Sequence, residues 1–320
     1  MKLLITGALG HIGSRFIHSL RPGDFEQVVL VDNLSTQRYC SLFNLPEAVP
    51  FHFIEADIFK ADLESLFSEV DVVLHFAAIA DATGSFEIQD QVERVNYEGT
   101  LKVAQACIKT QRQLIFISST SVYGTELDTI DESCSVTELR PQSPYAESKL
   151  RSEQMLRDFG EREGLRFVIC RFGTIFGISP GMRFHTAVNK FVWQACVGRP
   201  ITVWSTAMDQ KRPYLDLDDA IKALRFIMDR NLFDNQVYNV VTANSTVREI
   251  VGIVRSHIPD IEVEYVDAKI MNQLSYRVLN DKFRALGFEF TGSLEEGIKQ
   301  TVQLLRNVRS KDPSSFDVVS

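Results

Sequence analysis

The residues Thr6-Gly7-Ala8-Leu9-Gly10-His11-Ile12-Gly13 follow a short apolar run, residues 3–6, and open a stretch with the apolar spacing of a helix. Glycines at such a strand-to-helix turn permit a tight bend and let a pyrophosphate approach the free amides at the helix N-terminus. Their spacing is GxxGxxG rather than GxGxxG, so the turn alone also fits an ordinary strand-helix connection. The rest of the chain decides between these two interpretations.

Two aspartates follow the next two apolar runs. Asp32 closes the second run and precedes Asn33, and Asp57 comes just after the third run and precedes Ile58. A carboxylate at position 32 can accept hydrogen bonds from both hydroxyls of an adenosine ribose and would repel a 2′-phosphate, which favours NAD over NADP. Asp57 could bracket the adenine. Each aspartate could instead be a turn or helix N-cap residue.

Strand-like and helix-like segments alternate along the first half of the chain. The predicted strands, rich in β-branched residues and typical of buried parallel strands, are 3–6, 28–31, 51–55, 70–75, 114–118 and 167–170. The predicted helices between them are 11–20, 63–67, 92–108 and 145–163. This alternation predicts an α/β fold with a doubly wound parallel sheet.

Beyond residue 171 the pattern changes, because glycine, proline and aromatic residues are frequent in the stretch 172–186. We expect a nucleotide-binding domain made of residues 1–171 and about 213–241. A smaller C-terminal region, residues 172–212 and about 242–306, is expected to bind the substrate. The polar residues 307–320 are expected to form a flexible tail.

The composition disfavours several classes of function. The chain has 320 residues, 45% of them hydrophobic, and a formal net charge of −8 with acids and bases interspersed. This charge disfavours a nucleic-acid surface or a polybasic membrane patch. The 5 cysteines lie far apart without a CxxC pair, so neither a disulfide framework nor a metal site is predicted. No apolar run approaches the ~18 residues of a membrane span, and the N-terminus lacks a cleavage signal. We therefore expect a cytoplasmic protein.

Tyr145 and Lys149 lie at positions i and i+4 of the segment YAESK, which places them on one face of a helix. An ammonium beside a phenol lowers the phenol pKa, so the tyrosine can take a proton from an alcohol as hydride leaves the alcohol carbon. Ser119 emerges at the carboxyl end of the fifth strand, where ligands bind in open α/β sheets, and can donate to the same oxygen. Taken alone, the YxxxK pair is more often a solvated helix face, and a serine at a strand end is often a cap.

The motifs that carry this chemistry are, in order, TGALGHIG, Asp32-Asn33-Leu34, Asp57-Ile58, His75-Phe76-Ala77-Ala78, Asn96, SSTSVYG and YAESK. Together they resemble the extended short-chain dehydrogenase/reductase family over residues 1 to about 300. The resemblance implies a Rossmann domain, NAD as cofactor, a homodimer and a catalytic triad of Ser119, Tyr145 and Lys149, with Lys149 also holding the nicotinamide ribose. The other residues that we assign to the cofactor site are Gly7, Gly10, His11, Ile12, Gly13, Asp32, Asn33, Asp57, Ile58, Phe76, Ala77, Ala78 and Asn96. His75 is expected to be a core residue.

The second half of the chain resembles the sugar-nucleotide epimerases and dehydratases of that family. In those enzymes, arginines matching Arg212 and Arg277 bind the nucleotide diphosphate, a role that suits the planar guanidinium. Either arginine could instead form a surface ion pair. Thr120 and Thr174 are the other candidate substrate contacts. Thr174 stands where the family often has asparagine, which leaves the base and the sugar open.

The resemblance also bears on the type of reaction. Dehydratases of the family commonly carry an Asp-Glu pair directly after the position of Ser119, whereas this chain has Thr120 and Ser121. Epimerisation needs no extra acid. We therefore rank a NAD-dependent 4-epimerase of a nucleotide-diphosphate sugar first, and a dehydratase or oxidoreductase second. A silent protein that binds NAD and a nucleotide sugar is the alternative of a different class.

Overall fold

The computed structural model describes residues 1–124, 127–267 and 275–308. The strands are β1 Lys2–Thr6, β2 Gln27–Asp32, β3 Phe51–Glu55, β4 Val72–His75, β5 Gln113–Ser119, β6 Thr129–Ile130, β7 Phe167–Phe172, β8 Thr174–Phe176, β9 Ile201–Trp204, β10 Lys211–Asp216, β11 Val237–Val240, β12 Ala243–Thr246, β13 Val263–Val266 and β14 Arg277–Val278. The helices are α1 His11–His18, α2 Leu63–Ser68, α3 Gln89–Val92, α4 Gly99–Thr110, α5 Pro144–Glu163, α6 Ala187–Cys196, α7 Leu217–Asp229, α8 Val247–His257, α9 Asp281–Arg284 and α10 Leu294–Leu305.

A central sheet of 7 strands has the order β11-β7-β5-β4-β1-β2-β3, and every neighbouring pair in it is parallel. The chain builds outward from β1 to β3 and then crosses back to β4 on the other side of β1. The strand order therefore reverses between β1 and β4, and a crevice for a ligand forms at the carboxyl ends of these strands. The predicted doubly wound parallel sheet is confirmed.

Helices cover both faces of this sheet, which is why its strands are apolar throughout. One face packs against α1, α7 and α9, with Phe16, Leu224 and Phe283 in its core. The other face packs against α2, α4 and α5, with Cys107 and Leu156 in its core. Burial of apolar surface on both faces fixes the sheet and holds the carboxyl ends of its strands in place for the site.

A third core lies in the C-terminal part of the chain, where α6, α8 and α10 pack together around Val192, Ile250 and Ile298. It corresponds to most of the predicted substrate-binding region. Phe283 and Phe288 differ from that prediction, because they pack into the first core, with ring centroids 5.7 and 5.5 Å from that of Phe226. The division into two domains otherwise stays a prediction.

Two further expectations concern the periphery. None of the helices in the described ranges has the length and apolar content that a membrane span requires. Of the predicted tail, residues 309–320 lie outside the described residues.

Candidate active site

The glycine-rich turn connects the end of β1 to the start of α1. Gly7 has a φ of +66°, and a Cβ atom there would lie 2.5 Å from the backbone nitrogen of Ala77. A Cβ atom at Gly13 would lie 2.4 Å from the carbonyl oxygen of Ala8. Only glycine permits both approaches. Gly10 is the N-cap residue of α1, so the first amides of that helix face the turn, an arrangement that fits a pyrophosphate.

Asp32 joins this turn to the loop that follows β2. Its Oδ2 accepts a hydrogen bond from the backbone N–H of Leu9 at 3.0 Å, and its Oδ1 accepts one from that of Leu34 at 2.9 Å. Each carboxylate oxygen has a second lone pair with which it can accept from a ribose hydroxyl. Asn33 is exposed, and its Oδ1 accepts from the N–H of Ser35 at 3.0 Å. The position of Asp32 therefore fits the predicted adenosine role.

Asp57 takes the turn role that was its alternative interpretation. Its Oδ1 accepts a hydrogen bond from the backbone N–H of Phe59 at 2.9 Å. The neighbouring Ile58 is buried, and its Cδ1 lies 2.8 Å from where a Cβ atom at Gly99 would be. Neither residue lines the cavity described below, so their contact with the adenine stays a prediction.

The loop after β4 forms one wall of the site. Phe76 and Ala78 line the cavity together with the glycine turn. Asn96 is fully buried in a π-helical segment, Glu93–Glu98, between α3 and α4, where a single helix was predicted. Its side-chain amide accepts from Ile79 N at 2.8 Å and donates to Ile79 O at 3.0 Å and to Ser148 Oγ at 3.2 Å. Asn96 therefore holds this loop against α5.

Helix α5 carries two members of the proposed triad. Pro144 occupies its first turn, and Ser143 caps it by accepting a hydrogen bond from Ala146 N at 3.2 Å. Tyr145 and Lys149 face the carboxyl end of β5, and with Ser119 they line one cavity. The side chain of Ser119 lies near enough to Tyr145 to influence the pKa of its phenol. The structure thus brings the three predicted catalytic residues together.

Burial governs the acid-base properties of this group. Burial raises the pKa of the Tyr145 phenol, and the interaction with the Ser119 side chain and the positive charge of Arg183 oppose that shift. Burial lowers the pKa of Lys149 to about 8, and the negative charge of Glu153 opposes it. The Lys149 Nζ lies 4.7 Å from the Phe116 ring centroid.

His75 is the core residue that we predicted. It is 2% exposed, its Nδ1 lies 2.6 Å from Thr6 Oγ1, and its Nε2 lies 3.1 Å from Thr100 Oγ1. Burial, with a smaller effect of Lys149, lowers its pKa to about 3. The imidazole is therefore neutral and structural at neutral pH.

Two charged residues behind the triad were missed by the sequence interpretation. Glu153 and Arg171 are 1% and 3% exposed, and Arg171 Nη2 lies 2.6 Å from Glu153 Oε2. Glu153 stands one helical turn after Lys149, so the i, i+4, i+8 spacing of Tyr145, Lys149 and Glu153 was a usable signal.

The cavity has a volume of about 1000 Å³ and extends from the glycine turn past Tyr145 to β10. Thr120, Thr174 and Arg212 line it as predicted for substrate contacts. Arg277 does not, because it is exposed on β14 while its neighbour Tyr276 is buried and lines the cavity. Tyr276 directly precedes β14, and successive side chains of an extended chain point to opposite sides, so only one of these two residues faces inward.

Comparison with known proteins agrees with this geometry. Residues 3–240 match the model of the NAD dependent epimerase/dehydratase family. The chain belongs to this family. The match spans β1 to β11 and so includes the glycine turn and the residues of the proposed triad.

Individual relatives are distant. The chain is 32% identical over 242 residues to a UDP-glucose 4-epimerase of Azospirillum brasilense, covering 69% of this chain and 66% of that protein. It is 28% identical over 323 residues to a trifunctional UDP-glucose 4,6-dehydratase/UDP-4-keto-6-deoxy-D-glucose 3,5-epimerase/UDP-4-keto-L-rhamnose-reductase of Arabidopsis thaliana. This match covers 94% of the chain but only 47% of the plant protein, so the chain spans about half the length of that relative.

The fold is shared with solved structures of the family. The UDP-glucose 4-epimerase of Thermus thermophilus, in complex with NAD, superimposes with a TM-score of 0.83 at 26% sequence identity. The superposition covers 96% of this chain and 99% of that one. The predicted family and its cofactor, NAD, are thereby confirmed.

Proposed function

We propose that this chain is a NAD-dependent 4-epimerase of a nucleotide-diphosphate sugar. The observation that carries the proposal is that Ser119, Tyr145 and Lys149 line one cavity. The two residues that follow Ser119 in the chain, Thr120 and Ser121, also line it and carry hydroxyl groups rather than carboxyl groups. Proton abstraction and return at one alcohol need only this triad, whereas elimination of water needs an additional acid and base.

The acids available in the cavity support this choice. Asp81 is the one carboxyl group among the described residues that line it. Its Oδ1 accepts hydrogen bonds from the backbone N–H groups of Thr83 and Gly84, both at 3.0 Å. Asp81 thus serves in a turn, and no second carboxylate stands beside it along the described lining. The dehydratase alternative lacks the pair that it requires.

The residues divide the chemistry as follows. NAD, which the glycine turn and Asp32 would hold, would supply hydride transfer from the sugar carbon and back to the opposite face of the keto-sugar. Tyr145 Oη takes the hydroxyl proton during oxidation and gives it back during reduction. Ser119 donates a hydrogen bond to the same substrate oxygen and keeps it beside Tyr145. Lys149 keeps its ammonium near the phenol, so that the charge that develops on Tyr145 is stabilised.

The chain's own groups fit the cofactor. The glycine turn can admit a pyrophosphate at the start of α1, and the Asp32 carboxylate can accept hydrogen bonds from the adenosine ribose. On the substrate side, Arg212 is the proposed diphosphate ligand, and Arg277 is left out because of its exposed position. The cavity joins these two sides at Tyr145, where the reaction requires the two ligands to meet.

The test is incubation of the protein and NAD with UDP-, GDP-, CDP- and dTDP-hexoses in D₂O, with products read by NMR. A 4-epimerase inverts C4 and retains the hydrogen on that carbon, because the hydride never reaches solvent. A dehydratase gives a deoxy keto-sugar that contains solvent deuterium, since its elimination passes through an exchangeable proton. The Tyr145→Phe variant is the matched control. If NAD and a sugar nucleotide bind without any product, the silent binding protein is the correct interpretation.

We also propose a homodimer through α4 and α5 and a cytoplasmic location. Arg151 of α5 lies over the ring of Tyr97 at 4.1 Å and pairs with Glu93 at 2.7 Å, so α5 is joined to the π-helical segment that leads into α4. Light scattering after size-exclusion chromatography tests the dimer, and a strictly monomeric mass at working concentration contradicts it. The five cysteines are free thiols, which supports a reducing compartment.

A further inference from the structure

Two arginines near the glycine turn each have a buried guanidinium nitrogen without a hydrogen-bond partner. These atoms are Nη1 of Arg38 and Nε of Arg183. Arg183 lines the cavity, and Arg38 lies half-buried in the loop that begins at Asp32. Buried polar groups in folded proteins are almost always paired, and an unpaired N–H on a charged group is the most costly kind. The two nitrogens therefore indicate an anionic ligand.

Arg183 belongs to a segment, residues 177–183, that lies directly on the glycine turn. His11 Nε2 donates to the carbonyl oxygen of Gly177 at 3.0 Å, and Gly181 N donates to Ser14 Oγ at 2.9 Å. A Cβ atom at Gly181 would lie 2.5 Å from the carbonyl oxygen of Leu9. Any side chain at position 181 would clash with the turn, so the segment can lie this close only because residue 181 is glycine.

The loop of Arg38 contacts the same segment. Cys40 Sγ donates to the carbonyl oxygen of Pro180 at 3.2 Å, and Ser41 Oγ donates to that of Leu9 at 2.8 Å. Arg38 and Arg183 thereby reach the turn from two chain segments that lie against each other and against residues 7–14. Hydrogen bonds hold each of the two segments in place, so the backbone on which the two arginines stand is already ordered.

The charges around the pair are consistent with an anion between them. Burial lowers the pKa of Arg38, and the positive charge of Arg183 lowers it further, while Asp32 opposes the shift. Burial also lowers the pKa of Arg183, and the charges of Tyr145 and Asp81 oppose that shift. The two cations repel each other. The charge of Asp32, at the proposed ribose end, acts on Arg38, and that of Tyr145, at the proposed reactive end, acts on Arg183. The diphosphate of a dinucleotide connects these two ends.

We propose that Arg38 and Arg183 bind the diphosphate of NAD from the side opposite to the glycine turn. The backbone amides of α1 hold one side of the diphosphate, and the two guanidinium groups, whose planar donor pairs match phosphate oxygens, hold the other. Arg183 comes from the predicted substrate-binding region, so that region closes on the cofactor as well as on the sugar. The proposal rests on NAD binding and is independent of which sugar reaction follows.

The experiment is calorimetric titration of nucleotide-free protein with NAD, ADP and adenosine. Arg183→Met and Arg38→Met should each weaken NAD and ADP about tenfold, because a charge-assisted contact to phosphate is lost. Adenosine has no phosphate, so its affinity should not change. Lys190→Met is the matched control, since Lys190 is another half-buried cation of the same cavity and lies outside the segment on the turn. It should bind NAD and ADP like the wild type.

Two results overturn the proposal. If Arg183→Met binds both NAD and ADP with wild-type affinity, the arginine does not contact the diphosphate of NAD. If the same variant also binds a nucleotide sugar more weakly, the arginine contacts the substrate instead. An equal loss of adenosine affinity shows a general distortion of the site. Arg183→Gln serves the same test should Arg183→Met fail to fold. Activity on sugars plays no part in these measurements, so they stand whether or not the epimerase assignment holds.

Discussion

Glu153 lies one helical turn beyond Lys149 on α5, and its negative charge opposes the effect of burial on the ammonium of that lysine. The carboxylate is itself held in place. Arg171 donates to it from Nε at 2.9 Å and from Nη2 at 2.6 Å, and Ser118 Oγ donates to Oε1. A buried ion pair with these hydrogen bonds fixes the charge beside Lys149, which makes Glu153 a positioning residue for the catalytic lysine.

The Glu153→Gln variant tests this relationship through the pH dependence of turnover. The pKa of Lys149 is already lowered to about 8, so the ammonium is lost as the pH rises through that value and activity should fall on the alkaline side. Removal of the negative charge favours the neutral amine. The alkaline limb should therefore move to lower pH by about one unit, as seen in a pH profile of kcat.

A double variant separates charge from structure. Glu153→Gln alone leaves the Arg171 cation uncompensated near Lys149, whereas Glu153→Gln with Arg171→Met removes both charges. In the double variant the alkaline limb of the kcat pH profile should return toward the wild-type position, although the protein loses some thermal stability. An identical limb in the wild type and in Glu153→Gln would show that Glu153 has only a structural role.

Tyr145→Phe should remove nearly all turnover and leave NAD binding unchanged. The hydroxyl is the proposed proton acceptor, and the ring remains to fill its buried place, so the loss is confined to proton transfer. Lys149→Ala is expected to weaken both turnover and NAD binding. Rates come from a sugar-nucleotide assay and affinities from calorimetry. Wild-type activity in Tyr145→Phe would require another base in the cavity.

The parts of the fold and site that could be read from the sequence are those with local patterns. The buried strands, the glycine turn and the i, i+4 pair of Tyr145 and Lys149 all depend on residues close in the chain. Arg183 and Arg171 could not be found in this way, since they reach the site only through tertiary packing of β7 and the segment after it. The structure does not support the predicted contact of Arg277 with the substrate, because Arg277 is exposed while its neighbour Tyr276 is buried and lines the cavity.

Asp32 should control the choice between NAD and NADP. Its two carboxylate oxygens already accept from Leu9 N and Leu34 N, so its charge is fixed where a 2′-phosphate would lie, and NAD should bind much more tightly than NADP. Asp32→Ala should narrow that preference, because the negative charge that repels the 2′-phosphate is lost. Affinities for both cofactors are measured by titration. Equal binding of NAD and NADP to the wild type would contradict the role of Asp32.

Arg212 should anchor the diphosphate of the substrate. Its guanidinium lies over the ring of Tyr276, 5.5 Å from the centroid, and Tyr276 Oη donates to the carbonyl oxygen of Thr120 at 3.3 Å. The arginine is thus aimed into the cavity by a buried aromatic ring that is itself tied to the residue after Ser119. A charge-assisted contact to phosphate contributes about 1.5 to 3 kcal/mol, or roughly tenfold or more in affinity.

Arg212→Ala should therefore raise the apparent KM for the nucleotide sugar by at least about tenfold, with NAD affinity nearly unchanged. Arg277→Ala is the matched control, because Arg277 is exposed on β14 and does not line the cavity, and its KM should stay at the wild-type value. Steady-state kinetics on the sugar identified by the NMR panel, with calorimetry for NAD, measure both effects. If Arg212→Ala keeps the wild-type KM while Arg277→Ala raises it, the diphosphate is bound by the other face of β14 and the assignment of Arg212 is wrong.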